Sequence, residues 1–297
     1  MSQRDWVGTT YGNGWMHLWL VRVLRLMDVR LLYAFSAIFV VPVCLLLNDS
    51  RRIIYRYFRE RHQSGCWKAA WQTYLNHCMF SQVVIDRFAM YAGKRFQIDI
   101  DGNHHFQQLA AKPEAFIQLS AHIGNYEIAG YTLEVKNKPF NALVFYGEKE
   151  SVMQHRSEMF ADTNVRMIPV SEDMNHLFQI DHALQEGEVV SMPADRLWGS
   201  KKTVSVTLLG AEASLPIGPF SIATIRGLDV LAVNVMKSST KRYHIYATPL
   251  TYDKQAPRKQ QIQELATAYA TELERMLKMY PAQWYNYFPF WKVTNDK

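Results

Sequence analysis

The stretch Ala115-Phe116-Ile117-Gln118-Leu119-Ser120-Ala121-His122-Ile123-Gly124-Asn125-Tyr126-Glu127-Ile128-Ala129-Gly130-Tyr131-Thr132-Leu133 reads as a strand, a turn and a helix in immediate succession. The apolar run at 115–119 predicts a buried strand, and the spacing after the turn predicts a helix over Tyr126–Glu134. His122 and Glu127 stand five residues apart. On one regular helix they would point about 140° away from each other, so they can meet only if His122 lies in the turn and Glu127 in the first helical turn. Gly124 supplies the permissive backbone such a turn needs. In open α/β sheets the carboxyl ends of strands are where sites form. An imidazole there suits general-base activation of a hydroxyl or amine, with the acid orienting the ring and stabilising its cation. The same spacing is also that of a surface loop whose Glu merely favours a helix start.

Working outward, short β-type runs alternate with helical ones after Gly93. Strands are predicted at Arg95–Ile100, Ala115–Leu119, Ala142–Phe145, Arg166–Pro169, Val189–Met192, Val204–Leu209, Val230–Val235 and Tyr243–Ala247. Helices are predicted at Tyr126–Glu134, Ser151–Ala161, Asn175–Glu186, Ile217–Arg226 and Lys259–Met279. This alternation predicts an α/β fold, a mixed sheet flanked by helices. There is no internal repeat.

Three further segments carry chemistry. Met192–Lys202 follows a predicted strand and offers Asp195, Arg196, Gly199, Lys201 and Lys202 in a turn, which suits a phosphate or phosphopantetheine group as well as it suits a solvated loop. Leu215–Ala223 alternates Pro and Gly (Pro216, Gly218, Pro219) before an apolar helix, so its amides could hold an anion, or the segment could be only a rigid turn. Tyr280–Trp291 is a dense aromatic run, fit for core closure or for a surface beside an acyl chain.

The amino-terminal region reads differently. Leu31–Leu47 holds no charge, is interrupted by Pro42, and is flanked by Arg22, Arg25, Arg30, Arg51 and Arg52. It lies at the short end of the roughly 17–25 residues a spanning helix needs. A single span, a hairpin or monotopic anchor lying in the membrane interface, and a buried core helix all fit this pattern. Ile53–Tyr91 reads as one or two amphipathic helices broken at Gly65. The expected division is 1–92, a helical membrane-associating region, and 93–297, an α/β catalytic domain. Met1–Trp15 is not a cleavable signal sequence by composition.

Composition narrows the partners. The 297 residues carry a net charge of +6, with 8 Trp, 16 Tyr and 15 Phe. No Lys/Arg-rich run or zinc-finger spacing accompanies the charge, which argues for anionic lipid or an acidic protein partner over nucleic acid. Three cysteines, Cys44, Cys66 and Cys78, match no metal motif and suit a reducing, cytosol-facing protein.

Taken in order, His122…Glu127, the DR-x-x-G segment Asp195–Gly199, the L-G-x-x-x-x-L-P-x-G-P segment Leu209–Pro219 and the P-x-Q-W tail Pro281–Trp284 resemble the lysophospholipid acyltransferase superfamily, most closely its late (secondary) acyltransferases of lipid A biosynthesis. The resemblance spans about residues 15–291 and implies a glycerolipid acyltransferase-like fold. It implies a His/acid dyad on His122 and Glu127, with substrate contacts at Asn125, Asp195, Arg196, Gly199, Lys201, Pro216 and Gly218. It implies transfer of a fatty acyl chain from acyl carrier protein, or from acyl-CoA, to a hydroxyl of a lipid A-type saccharolipid precursor. No metal and no resident cofactor are implied, and the expected location is the cytoplasmic face of the bacterial inner membrane. The E-G-T segment of the glycerolipid branch is absent, with Ala194-Asp195-Arg196 in its place, and the Gly-rich amino terminus is atypical. Other acceptors therefore stay open, namely amino-acid, polyene or lysophospholipid acceptors, as does a non-catalytic lipid-binding relative.

Overall fold

The computed structural model describes residues 14–133, 138–145, 163–170, 174–197 and 202–291. A helical layer comes first. Helix α1 (Gly14–Leu26) leads into α2 (Val29–Leu47), which is capped at its start by the Asp28 side chain accepting from the Arg30 N–H at 2.9 Å. Pro42 has no N–H, and its ring would meet the carbonyl four residues earlier, so the helix widens into a π-helical turn at Ser36–Val40. The Tyr74 hydroxyl donates to Ala37 O in that turn at 3.1 Å. Arg51 closes the other end by donating to Leu46 O at 2.8 Å and to Leu45 O.

Helix α3 (Ser50–Arg56) runs on as a π-helical turn through Tyr57–Arg61, and α4 (Cys66–Tyr91) starts directly after Gly65, where the break was expected. Helix α2 lays Val29, Tyr33, Ser36 and Val41 inward. Its other face, including Leu31, Phe35, Ile38, Phe39, Val43, Leu46 and Leu47, is exposed, as are Trp67 and Trp71 on α4. Helix α2 has the length and composition to cross a membrane.

The second layer is a seven-stranded sheet in the order β1-β9-β8-β2-β5-β3-β4. Its strands are β1 (Gln97–Asp101), β2 (Phe116–Ser120), β3 (Phe140–Phe145), β4 (Val165–Val170), β5 (Val189–Pro193), β8 (Asp229–Ser239) and β9 (Arg242–Leu250). All pairings are parallel except β8 with β9, so the sheet is mixed, as expected. Every residue of β2 is buried, which is the mark of a central strand covered on both faces. Ile117 and Leu119 pack with α3, with α7 (Asn175–Gln185), α8 (Ile217–Ile225) and α9 (Arg258–Met279), and with Trp284. Phe116 packs with α5 (Asn103–Ala110) and α6 (Glu127–Thr132) on the other face. Ile54, Tyr57, Phe58 and Ala69 of the first layer belong to the same core as the sheet.

Two elements depart from the expectation. Helix α5 was not expected from its polar start, and Ala211–Pro216 forms β7, an antiparallel partner to β6 (Thr203–Leu208). Leu209 and Gly210 both take positive φ, 49° and 74°, and make a two-residue hairpin turn. The expected helix Ser151–Ala161 lies outside the described residues.

Candidate active site

Strands β2 and β5 run parallel, with Ser120 opposite Pro193, and the Ala194 N–H continues the ladder to Ser120 O at 2.9 Å. The next residues on each strand are Ala121-His122 and Ala194-Asp195. The register therefore delivers an imidazole and a carboxylate to the same level of the carboxyl edge. They meet twice. His122 Nδ1 lies 2.7 Å from Asp195 Oδ1, and the His122 backbone N–H donates to Asp195 Oδ2 at 2.9 Å. Both carboxylate oxygens are thus engaged by one residue, which fixes the plane of the acid against the ring. The Asp195 side chain is 1% exposed, whereas the His122 ring keeps 20% of its surface open.

The turn that carries His122 is held from several sides. Gly124 has φ +54°, and a Cβ there would lie 1.9 Å from Val235 O. Asn125 N–H donates to that same Val235 O at 2.8 Å, and Gly124 N–H donates to Gln283 O at 2.9 Å. Gly124→Ala must therefore displace backbone. The left-handed conformation and the overlap together are expected to cost roughly 2–4 kcal/mol, read as a fall in Tm; an unchanged Tm would contradict the tight turn.

The aromatic tail closes over the back of the site. Tyr285 N–H donates to His122 O at 3.0 Å, Ile123 bridges Trp284, and Trp284 is buried at 1% exposure. Asn76 Nδ2 donates to Trp284 O at 2.8 Å. Of the two uses the sequence allowed for this run, core closure is the one these contacts serve.

Glu127 sits one turn further on, 5% exposed, with Oε1 3.0 Å from Arg87 Nε and Oε2 accepting from the Tyr91 hydroxyl at 3.3 Å. Glu127 was expected to orient the ring; Asp195 meets Nδ1, and Arg87 and Tyr91 on α4 engage the Glu127 carboxylate. Asp195, expected as a substrate contact, lies against the ring. Arg196 Nη2 donates to Tyr285 O at 2.7 Å, and its guanidinium lies 5.6 Å from the centre of the Phe288 ring. Asn125 is buried, its Nδ2 3.5 Å from the Tyr243 hydroxyl. Pro216 and Gly218 begin α8; Phe220 of that helix packs on Tyr269, whose hydroxyl donates to Ser120 O at 2.9 Å. Gly199 and Lys201 lie outside the described residues. Sequence reasoning missed Arg87 and Tyr91, which look like ordinary members of an amphipathic helix.

Burial and neighbouring charge both act on the pair. Burial lowers the His122 pKa, Asp195 opposes the shift, and the charge of Arg196 adds to it. Burial alone would raise the Asp195 pKa. The His122 charge and hydrogen bond, Arg196 and the His122 N–H outweigh that and hold it below its ordinary value. A base must be neutral to take a proton. With its pKa lowered, His122 stays neutral down to a pH below its ordinary value of about 6.5. The acid limb of kcat/KM is therefore expected to have its midpoint below about 6.5, and a midpoint above that value would contradict the assignment.

The sequence model of the family described as bacterial lipid A biosynthesis acyltransferase matches residues 83–293, a span that includes His122, Glu127, Asp195 and the tail. Among solved structures, the chain is similar to the 1-acyl-sn-glycerophosphate (LPA) acyltransferase PlsC from Thermotoga maritima, with 14% identity, 91% of this chain and 98% of that chain covered, and a TM-score of 0.38. No curated protein matches.

Proposed function

We propose, since the chain belongs to the bacterial lipid A biosynthesis acyltransferase family, that it transfers a fatty acyl chain from a thioester donor to a hydroxyl of a lipid A-type saccharolipid precursor. The observation that carries the reading is the His122 imidazole held by Asp195 at the ends of two adjacent parallel strands. With Nδ1 bound to Asp195, Nε2 is the nitrogen that takes the proton from the acceptor hydroxyl. The oxygen attacks the thioester carbonyl, and the protonated ring returns its proton to the leaving thiolate. Asp195 fixes the tautomer and stabilises the imidazolium. Glu127, set by Arg87 and Tyr91, is the second carboxylate of the turn and favours the same cation. Arg196 steadies the phosphate or thioester end of a substrate, with Asn125, Gly199, Lys201, Pro216 and Gly218 completing the contacts.

Acyl carrier protein is the proposed donor, with acyl-CoA the alternative; the net charge of +6 suits an acidic carrier. Residues 1–92 seat the protein on the cytoplasmic face of the inner membrane through α2, Trp67 and Trp71, and residues 93–297 carry the chemistry. The exposed apolar face of α2 supports this seat. The test is transfer of radiolabelled acyl chains by the purified protein to a lipid A precursor in mixed micelles, with acyl carrier protein and coenzyme A thioesters run in parallel. A labelled lipid product from the carrier-protein thioester is expected. Thioester consumption with no labelled lipid from either donor would overturn the reading.

A further inference from the structure

Beneath the catalytic turn lies a buried ionic cluster that the proposed chemistry does not use. Lys237 near the end of β8 and Asp86 on α4 are 2% and 0% exposed and form an ion pair. The Tyr33 hydroxyl of α2 and the Tyr243 hydroxyl of β9 both donate to the Asp86 carboxylate. Lys237 Nζ also donates to Tyr33 Oη at 3.1 Å and to Thr240 O at 3.3 Å, and it lies 4.9 Å from the Tyr33 and Tyr243 ring centres. A buried ion pair is weak evidence for stability, since apolar residues of like volume often serve as well. Its connections are therefore the more informative feature.

Three of them lead to the catalytic turn. The Lys237 backbone N–H donates to Gln283 Oε1 at 2.8 Å and its carbonyl accepts from Gln283 Nε2 at 2.7 Å, while Gln283 O receives the Gly124 N–H. Asn125 N–H is held by Val235, two residues before Lys237, and Asn125 Nδ2 reaches the Tyr243 hydroxyl. Asp86 is followed on α4 by Arg87, the partner of Glu127. A fourth connection leads away: Tyr33 belongs to α2, the helix with the long exposed apolar face.

We propose that Tyr33, Asp86 and Lys237 are positioning residues for acyl transfer, forming a clasp through which α2 holds the His122–Glu127 turn in its working geometry. The proposal rests on the acyltransferase reading above. None of the three touches the reacting atoms; they act through Gln283, Asn125 and Arg87. The clasp makes the docked position of α2 a determinant of turnover as well as of attachment to a lipid surface.

Single substitution of Asp86 or Lys237 strands a buried charge and threatens folding, so the test uses two other variants of the full chain. Tyr33→Phe removes one hydroxyl and keeps the ring. The double variant Asp86→Leu with Lys237→Met removes both charges and keeps the volume. Acyl transfer from acyl carrier protein thioester to lipid A precursor in mixed micelles is measured beside thermal unfolding. Tyr33→Phe is expected to lower kcat about three- to tenfold and the double variant more than tenfold, with donor KM and Tm close to wild type. A merely structural clasp would move Tm and leave kcat of the folded protein alone. If the double variant does not fold, Tyr33→Phe decides by itself. Wild-type kcat in the folded variants overturns the clasp and leaves the functional reading standing; absence of turnover in the wild type overturns both.

Discussion

His122→Ala is expected to reduce kcat by about 10³- to 10⁴-fold while leaving the donor KM within a few-fold of wild type. General-base catalysis by a positioned side chain contributes about 10²–10⁴, and the upper part of that range applies because Asp195 fixes the ring through both carboxylate oxygens. The loss falls on kcat because the imidazole acts on a proton that moves only in the transition state. Folding should survive. The ring bonds to Asp195 and meets the Tyr126 ring, whereas the turn is held by backbone contacts to Asp195, Val235, Gln283 and Tyr285 that alanine retains. A purified His122→Ala protein with an unchanged melting transition and kcat within tenfold of wild type would remove His122 from the mechanism.

Asp195→Asn is expected to be almost as damaging, about 10³-fold or more in kcat, although it changes only two atoms' chemistry. The reason is the second contact. The His122 backbone N–H donates to Oδ2 at 2.9 Å, so the asparagine must put its carbonyl oxygen there. Its NH₂ group then faces Nδ1, where Oδ1 stood at 2.7 Å. An NH₂ donates to Nδ1 and forces the ring's proton onto Nε2, the atom that has to accept one. The wrong tautomer is locked in by the backbone. Alanine at 195 leaves the ring free to sample both tautomers, so Asp195→Ala should retain more activity than Asp195→Asn. Equal losses in the two variants would show that Asp195 acts by charge alone, and the reverse order would contradict the locked tautomer.

The strand–turn–helix around His122 was legible because a mostly apolar strand, a glycine and a new helical period stand next to each other, and the structure repeats that order. The β-type runs at 189–192 and 230–235 were legible for the same reason: central strands covered on both faces are mostly apolar, here broken only by Ser191 and Asn234. Strand β7 was not, because Ala211-Glu212-Ala213-Ser214 has no β-branched residue and its alternation rests on two small alanines. Nor did α5 announce itself in Asn103-His104-His105.

The candidate site was legible in its members more than in its pairings. Asp195 stood out as part of a charged turn, but its pairing with His122 spans 73 residues and depends on the β2–β5 register. One signal could have found it: each residue lies two positions past the end of an apolar strand. Asp86, Arg87, Tyr91 and Lys237 carried no such signal. They become partners of the turn only when α4 folds back along the sheet. The membrane-facing reading of Leu31–Leu47 was left open between span, anchor and core helix. Its exposed face sets it apart from a fully buried helix, and the inward-facing Tyr33 shows that it is also part of the scaffold beneath the site.

The measurement that bears most directly on the account is the lipid mass profile of a strain lacking this protein, complemented with either the wild-type or the His122→Ala chain at equal expression. The wild type should restore a lipid heavier by one fatty acyl group and His122→Ala should not, with the mass and fragmentation of that lipid identifying the acceptor. Restoration by His122→Ala, or profiles identical with and without the wild-type protein, would contradict the assignment of His122 as the base of a lipid acyltransferase.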